Sequence, residues 1–471
     1  MFRDEIRKEV HDRLREHDLK VVADKLTPSV FSEAARQTGL KIGTCPLNLV
    51  NLVWLGIAAA WRKTESFVTI LSVTLKLLQD QEHFGQSAFG KDLRRKQCNA
   101  QRRGRKARKK HDPRGQDPTR VSEEAFVKAR RHMPLQFWVA LIVLLGERFE
   151  AEHGERMRYR GFRLLAMDGT CITLPKTKAL RAYYGTANNG SGKHAPQARM
   201  VMLQSPLTRL PLAYELQPLK VGEVTMARQL VSRLRGNDLV LLDSGYCSYG
   251  LLCDIQRRGA FFCLRVQRNL NLQPRRRLQK RRDRLMRWTP KDSRGRWRRE
   301  GLPPALDVRL IEHRVPGYRT IKLLTNVLSP RRLSYGDFTR LTTMPGVGER
   351  LLPGLYHQRW QIETSFDELK NEHGLEGGLR SKTPEGIAYE IAGHVVLYLL
   401  VRWLIVEAAV KHRRDPLRIS FRNALRELQG MWTSLVISSS RWVARVLLPR
   451  LLQRIAANVV PFRPGRSYPR K

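Results

Sequence analysis

The chain has 471 residues and carries 87 Lys or Arg against 43 Asp or Glu, a formal net charge of +44. That excess points to a polyanionic partner, and nucleic acid is the commonest polyanion. With 9 Trp and 42% hydrophobic residues, it is richer in core-forming side chains than ribosomal or histone-like proteins that only bind. The length suggests roughly two to four domains.

Cys45, Cys98, Cys171, Cys247, Cys253 and Cys263 contain no CxxC pair. Neither a zinc site nor a disulfide framework follows, and reduced thiols in the cytoplasm are the expectation. The N-terminus, Met-Phe-Arg-Asp-Glu-Ile-Arg-Lys-Glu, is too charged for a signal peptide. Ile391–Val410 is the most apolar stretch, but His394, Arg402 and Glu407 interrupt it. The expectation is therefore a buried core helix and no membrane span.

In chain order, residues 1–90 read as helical: a charged amphipathic start, the apolar run Leu47–Trp61, then Ser66–Leu78. No helix-turn-helix signature stands out. Residues 91–114 hold 12 Lys or Arg against Asp92 and Asp112. This run has too few apolar residues to fold alone, and it suits phosphate contact or a solvated linker. Ser122 is placed to cap a helix that begins at Glu123, and Phe137–Leu145 is a second, strongly apolar helix.

From Arg163 the pattern changes to strands. Arg163–Leu174 carries Asp168-Gly169-Thr170 at its middle, and Ala198–Gln204 and Pro211–Gln217 form a hairpin-like pair. After a helix at Glu223–Leu234, the short apolar strand Asp238–Leu242 delivers Asp243-Ser244-Gly245-Tyr246. A helix at Leu251–Arg258 and a strand at Ala260–Val266 complete an α/β pattern, a mixed sheet flanked by helices. Adjacent central strands would bring Asp168 and Asp243 together, although turn or cap chemistry beside Gly169 and Gly245 explains each Asp equally well alone.

Residues 267–317 interrupt this order. Arg275–Arg299 holds 13 Lys or Arg with Trp288 and Trp297 among them, and such interleaving suits backbone contact with base stacking, or a solvated insertion. A strand signal returns at Tyr318–Leu328. Beyond it, Thr383 as N-cap with Pro384 at the first helical position opens a long apolar helix to about Val410. Basic helices and a Pro-containing tail follow to residue 471.

The stretch Tyr356–Lys370 contains no Gly or Pro and predicts a helix. At about 100° per residue, with Tyr356 at 0°, Arg359 falls near 300°, Glu363 near 340° and Lys370 near 320°. One phenol, two cations and one carboxylate thus share a stripe beside the apolar Leu355, Ile362, Phe366 and Leu369. An ordinary amphipathic helix with an Arg359–Glu363 pair has the same spacing. Three converging carboxylates, Asp168, Asp243 and Glu363, would suit hard cations such as Mg²⁺, and two such ions handle phosphodiester chemistry. Arg359 and Lys370 would grip a phosphate, with Tyr356 donating to it.

These residues resemble the bacterial insertion-sequence DDE transposases of the IS-four family. Its Tyr-x2-Arg-x3-Glu-x6-Lys signature is met at every gap by Tyr356, Arg359, Glu363 and Lys370, with Trp360 and Ile362 in the usual context. Asp168-Gly169-Thr170 with Leu174-Pro175 matches the first Asp motif. The second, usually Asp-Arg-Gly-Tyr/Phe, has Ser244 in place of Arg and keeps the carboxylate. The resemblance covers roughly 120–410.

The resemblance implies an RNase H-like catalytic core in which Asp168, Asp243 and Glu363 are both the catalytic and the metal-binding residues. They would hold two Mg²⁺ ions, with Mn²⁺ as a substitute. Tyr356, Arg359 and Lys370 would bind the DNA phosphate on the hairpin side. The implied organisation is a helical DNA-binding region at 1–120 with a basic linker at 91–120, and a first part of the catalytic domain at 121–266. A basic, mostly β insertion at 267–340, the remainder with the Glu363 helix at 341–410, and a helical C-terminal region at 411–471 complete it. The implied partners are double-stranded DNA, as terminal inverted repeats and target, and a second copy in a synaptic dimer; no membrane is implied. The implied chemistry is cut-and-paste transposition through hairpin ends. Two other readings stay open on the residues alone: a catalytically idle DNA-binding relative, and a metal-dependent nuclease without strand transfer.

Overall fold

The computed structural model describes residues 25–42, 47–62, 65, 69–70, 122–187, 194–266, 270–278, 282–291, 295–313, 320–339, 342–343, 351–352, 354–431 and 442–461. The charged start of the chain, the basic run at 91–114 and nearly all of Ser66–Leu78 lie outside the described residues.

The central strand is β1 (Phe162–Thr173), whose first half is entirely buried. It pairs antiparallel with β2 (Gln197–Gln204), which pairs antiparallel with β3 (Pro211–Pro218). On its other edge β1 runs parallel to β4 (Asp238–Leu242), and β4 runs parallel to β5 (Phe261–Arg265). All five residues of β4 are buried, as a strand covered on both faces requires. Each of Leu239, Val240, Leu241 and Leu242 contributes roughly 1.5–3 kcal/mol by leaving water. The order β3-β2-β1-β4-β5, with only β2 antiparallel to the other four, is the RNase H-like arrangement.

The sheet does not stop at β5. The strands β6 (Leu272–Arg277), β7 (Asp283–Trp288), β8 (Leu306–His313) and β9 (Ile321–Thr325) extend it in the order β5-β9-β8-β7-β6, all antiparallel. With the short strand Arg158–Tyr159 on β1 the sheet has ten strands. The interruption read at 267–317 is thus continuous with the core sheet among the described residues. The resemblance implied a mostly β insertion here, but the charge pattern alone showed no strand before Tyr318, because β7 and β8 place an ion pair inside the sheet. Asp283 and Arg309 are fully buried and joined by two hydrogen bonds of 2.7 and 2.6 Å.

The same region departs from the base-stacking reading. Trp288 is buried against Tyr249, ring centroids 5.2 Å apart, and Trp297 meets the same ring at 6.0 Å. Tyr249 opens the helix Tyr249–Arg257, so both indoles dock the extended sheet onto that helix. Trp288 is thereby held in the core, and the half-buried Trp297 packs at its edge.

Helices pack around the sheet. The chain enters the described structure at α1 (Pro28–Gln37) and α2 (Leu49–Trp61), then α3 (Glu123–Arg131) and α4 (Leu135–His153). Ser122 caps α3 as expected, its hydroxyl accepting from the Ala125 amide at 3.1 Å. A seven-residue α5 (Lys178–Tyr184) follows β1, and α6 (Glu223–Leu230) and α7 (Tyr249–Arg257) flank β4. Close to the site come α8 (Gln361–Asp367) and then α9 (Pro384–Lys411). Thr383 caps α9 by accepting from the Gly386 amide at 3.3 Å. Almost all of α9 is buried, which agrees with the core-helix reading of Ile391–Val410. It runs against α2 so closely that a Cβ at Gly393 would lie 2.4 Å from the Gly56 carbonyl oxygen. Trp138 and Phe149 on α4 meet Tyr389 and Trp403 on α9 edge to face, at 5.5 and 5.3 Å. Beyond α9, α10 (Phe421–Gly430) and α11 (Leu448–Ala457) are amphipathic and close the described chain.

Candidate active site

The parallel register of β1 and β4 pairs Met167 with Leu242. Asp168 and Asp243 are the next residues on each strand, so the two carboxylates start from neighbouring backbone positions. Asp168 is held on both oxygens: Oδ1 accepts from the Gly169 amide at 2.9 Å and Oδ2 from Arg359 Nη1 at 2.7 Å. Asp243 sits in extended backbone where β4 ends, and its carbonyl accepts from the Tyr246 amide at 3.1 Å.

The expected single helix at 356–370 is instead three pieces. Leu355–Trp360 is wound as a 3-10 helix, α8 continues it, and Glu368–Glu372 opens into a π turn. A uniform 100° advance therefore does not describe the stripe. The stripe divides accordingly. Arg359 Nη2 donates to Glu363 Oε1 at 2.6 Å while its Nη1 holds Asp168, so one guanidinium joins two of the three carboxylates. Tyr356 lies beside Arg359, and burial pushes its phenol up while Arg359 pulls it down. Lys370 departs: its ammonium donates to the Cys171 carbonyl at 2.9 Å and pairs with Glu376 at 3.0 Å. It touches the same strand as Asp168, three residues further on.

Burial dominates the electrostatics. It pushes the Asp168 carboxyl up to about 6; the Gly169 amide and Arg359 oppose that rise, and the charges of Asp243 and Glu363 add to it. Arg359 is itself buried, with 4% of its side chain exposed, whereas Glu363 is 51% exposed. As candidate donors these three carboxylates would supply only hard oxygen, which fits a magnesium-like cation.

Sequence reasoning passed over several residues here. Glu223, in the first turn of α6, packs on β1 so closely that a Cβ at Gly169 would lie 2.7 Å from its Cδ. Its Oε2 accepts from the buried Tyr246 hydroxyl at 3.3 Å. An acidic residue in a first helical turn is too common to have been singled out. On the far side of α8, Gln361 and Glu368 meet Arg209, Tyr398 and Arg402 in a buried polar network. Here a signal existed: at about 100° per residue Gln361, Ser365 and Glu368 fall at about 140°, 180° and 120°, a second polar stripe opposite the first.

Among the described residues, the one group that brings three potential metal ligands within 4.8 Å of one another is Glu152, His153 and Glu407; Asp168, Asp243 and Glu363 are not drawn that close. That group lies on α4 and α9, not on the elements that carry Asp168, Asp243 and Glu363. Two of its carboxylates are already paired, Glu407 with Lys25 at 2.6 Å and Glu152 with Arg148 at 3.6 Å.

Residues 159–400 match the family described as Transposase DDE domain. The chain is 26% identical over 320 residues to Transposase InsG for insertion sequence element IS4 of Escherichia coli K12, covering 66% of this chain and 67% of that protein. It is 27% identical over 103 residues to Putative transposase InsZ of the same organism, covering 21% and 34%. Among solved structures, a piggyBac transposase synaptic complex with hairpin DNA aligns with a TM-score of 0.35 at 13% identity, over 88% of this chain and 77% of that one.

Proposed function

The chain belongs to the DDE transposase family, and we propose that it is an IS-four-type enzyme that excises an insertion sequence and joins it to new DNA. The observation that carries this reading is the juxtaposition of Asp168 and Asp243 on parallel neighbouring strands, with Arg359 linking Asp168 to Glu363. Asp168, Asp243 and Glu363 would hold divalent cations, Mg²⁺ or Mn²⁺. When bound, these supply an activated water or hydroxyl and a Lewis acid for the leaving oxygen.

The protein's own groups do the rest. In the DNA-free state Arg359 pairs with Asp168 and Glu363 and offsets the repulsion within the acidic cluster. With the carboxylates' charge offset by a bound cation, the Arg359 guanidinium would be free to grip a DNA phosphate with two parallel hydrogen bonds. The half-buried Tyr356 phenol stays protonated and donates to the same phosphate. Lys370, on the Cys171 side of β1, holds the strand one step along. Together these steps position a nicked end, a hairpin end and then a 3′-hydroxyl for strand transfer. The terminal inverted repeats are read by the region 1–120 with its basic run, and two ends are joined in a dimer. The mostly β residues 267–340 supply further backbone contacts.

The test is a plasmid carrying the element's own ends, incubated with the protein and Mg²⁺. Wild type is expected to excise the element and leave hairpin ends, while Asp168→Ala and Glu363→Ala bind the ends and leave them uncut. Wild-type protein that binds but never cuts would overturn the enzymatic reading. Cutting with no hairpin would reduce it to a metal-dependent nuclease.

A further inference from the structure

On the active-site face Glu363 is held by Arg359 alone among the contacts described above; a second set of contacts fixes α8 from behind. Glu368, five residues on and 4% exposed, opens the π turn. Its Oε1 accepts from Arg209 Nη1 at 2.6 Å, and its Oε2 from the Tyr398 hydroxyl at 2.8 Å and from Arg402 Nη2. Arg209 also clasps Gln361 Oε1 with Nε and Nη2, at 2.9 and 2.7 Å. Both ends of α8 are therefore gripped by one guanidinium.

The position of Arg209 gives that grip its meaning. It lies in the turn joining β2 to β3, at a left-handed φ of 58°, and its guanidinium reaches Gln361 and Glu368. Strand β2 is the hydrogen-bonded neighbour of β1, pairing Met202 with Asp168. The contact thus runs from the strand beside Asp168 to the helix of Glu363, while Tyr398 and Arg402 tie the same carboxylate to α9. Charged groups buried this deeply are costly unless mutually satisfied, and their geometry is correspondingly fixed.

We propose that Arg209 and Glu368 are positioning residues that set the distance between Glu363 and Asp168, and so the affinity of the site for its divalent cation. The inference rests on the reading of Asp168, Asp243 and Glu363 as the cation-binding carboxylates. Arg209 touches neither DNA nor metal in this scheme and acts only through α8.

The experiment compares wild type, Arg209→Lys and Glu368→Gln in the full chain. Mn²⁺ is titrated calorimetrically without DNA, and the Mn²⁺ concentration for half-maximal end cleavage is measured well below each variant's melting temperature. Arg209→Lys keeps the charge but loses the forked grip, so it remains foldable and decides the matter if Glu368→Gln does not fold. The expected result is at least a tenfold weaker Mn²⁺ affinity and a matching rise in the half-maximal concentration, with end-binding affinity within twofold of wild type. A folded Arg209→Lys whose Mn²⁺ affinity stays within twofold of wild type overturns the proposal. If wild type binds no Mn²⁺ at all, the carboxylate reading itself falls.

Discussion

Arg359 and Asp168, 191 positions apart in the chain, are joined by a 2.7 Å hydrogen bond from Nη1 to Oδ2. The same guanidinium holds Glu363, so a cation entering between these carboxylates competes with a resident positive charge. Arg359→Gln should therefore tighten Mn²⁺ binding to the DNA-free protein by roughly threefold to tenfold, since it removes an opposite charge from the ligand set. End cleavage should nevertheless fall by roughly a hundredfold or more, because the phosphate loses its clamp. Calorimetry and a cleavage time course on one preparation check both halves, and weaker Mn²⁺ binding would contradict the first.

Asp168 makes stability depend on pH in a definite direction. Its carboxyl is raised to about 6 from an ordinary 3.8, so the folded protein holds this proton more tightly than the unfolded chain does. The group therefore costs stability above about pH 6, and the cost is relieved as pH falls from there towards 3.8. A shift of this size corresponds to at most about 3 kcal/mol. Asp168→Asn should melt higher than wild type at pH 8, with more than half of the gap closed by pH 4.5. Thermal melts without divalent cations across that range measure it, and a gap that widens on acidification would reverse the sign.

The Asp283–Arg309 pair should prove sensitive to removal of one partner. Arg309 also donates to the Leu333 carbonyl at 2.6 Å, so Asp283→Ala leaves an uncompensated guanidinium in the middle of the extended sheet. The expected cost is about 3–5 kcal/mol. Replacing both partners by Leu and Met should cost far less. Denaturant titrations of the single and double variants separate these outcomes.

Trp288 offers a direct test of packing against base stacking. With its ring buried on Tyr249, Trp288→Ala should cost about 3–5 kcal/mol of stability. The DNA affinity of the folded fraction should change less than twofold. A stacking side chain would instead cost about 1–3 kcal/mol of binding energy, visible in fluorescence anisotropy with a short duplex.

Much of this architecture follows from local pattern. The apolar run Asp238–Leu242 forms the strand it predicts, residue for residue. The caps at Ser122 and Thr383 are where hydroxyl and proline chemistry place them. The spacing of Tyr356, Arg359, Glu363 and Lys370 marks one segment as exceptional. Such features are legible because strand alternation, helix capping and turn chemistry act over a few residues.

Contacts across the fold decided the rest. The charge pattern gave no strand at β6, β7 or β8, which only the resemblance implied, and the ion pair of Asp283 with Arg309 inside the sheet has no local signature. Of the two tryptophans of that region, Trp288 became a core residue and Trp297 packs half-buried beside it, both against Tyr249. The winding of 355–372 changes pitch twice, and Lys370 turns to β1 while Arg359 turns to Asp168. The anchor behind Glu363 needs Arg209 and Arg402, 159 and 34 residues from Glu368. The sequence by itself determined the strand that bears Asp168, the end of the strand that delivers Asp243 and the segment that bears Glu363. Only the tertiary structure decided which charges face each other, because pairing energy depends on distance through space and burial, and neither is encoded in spacing along the chain.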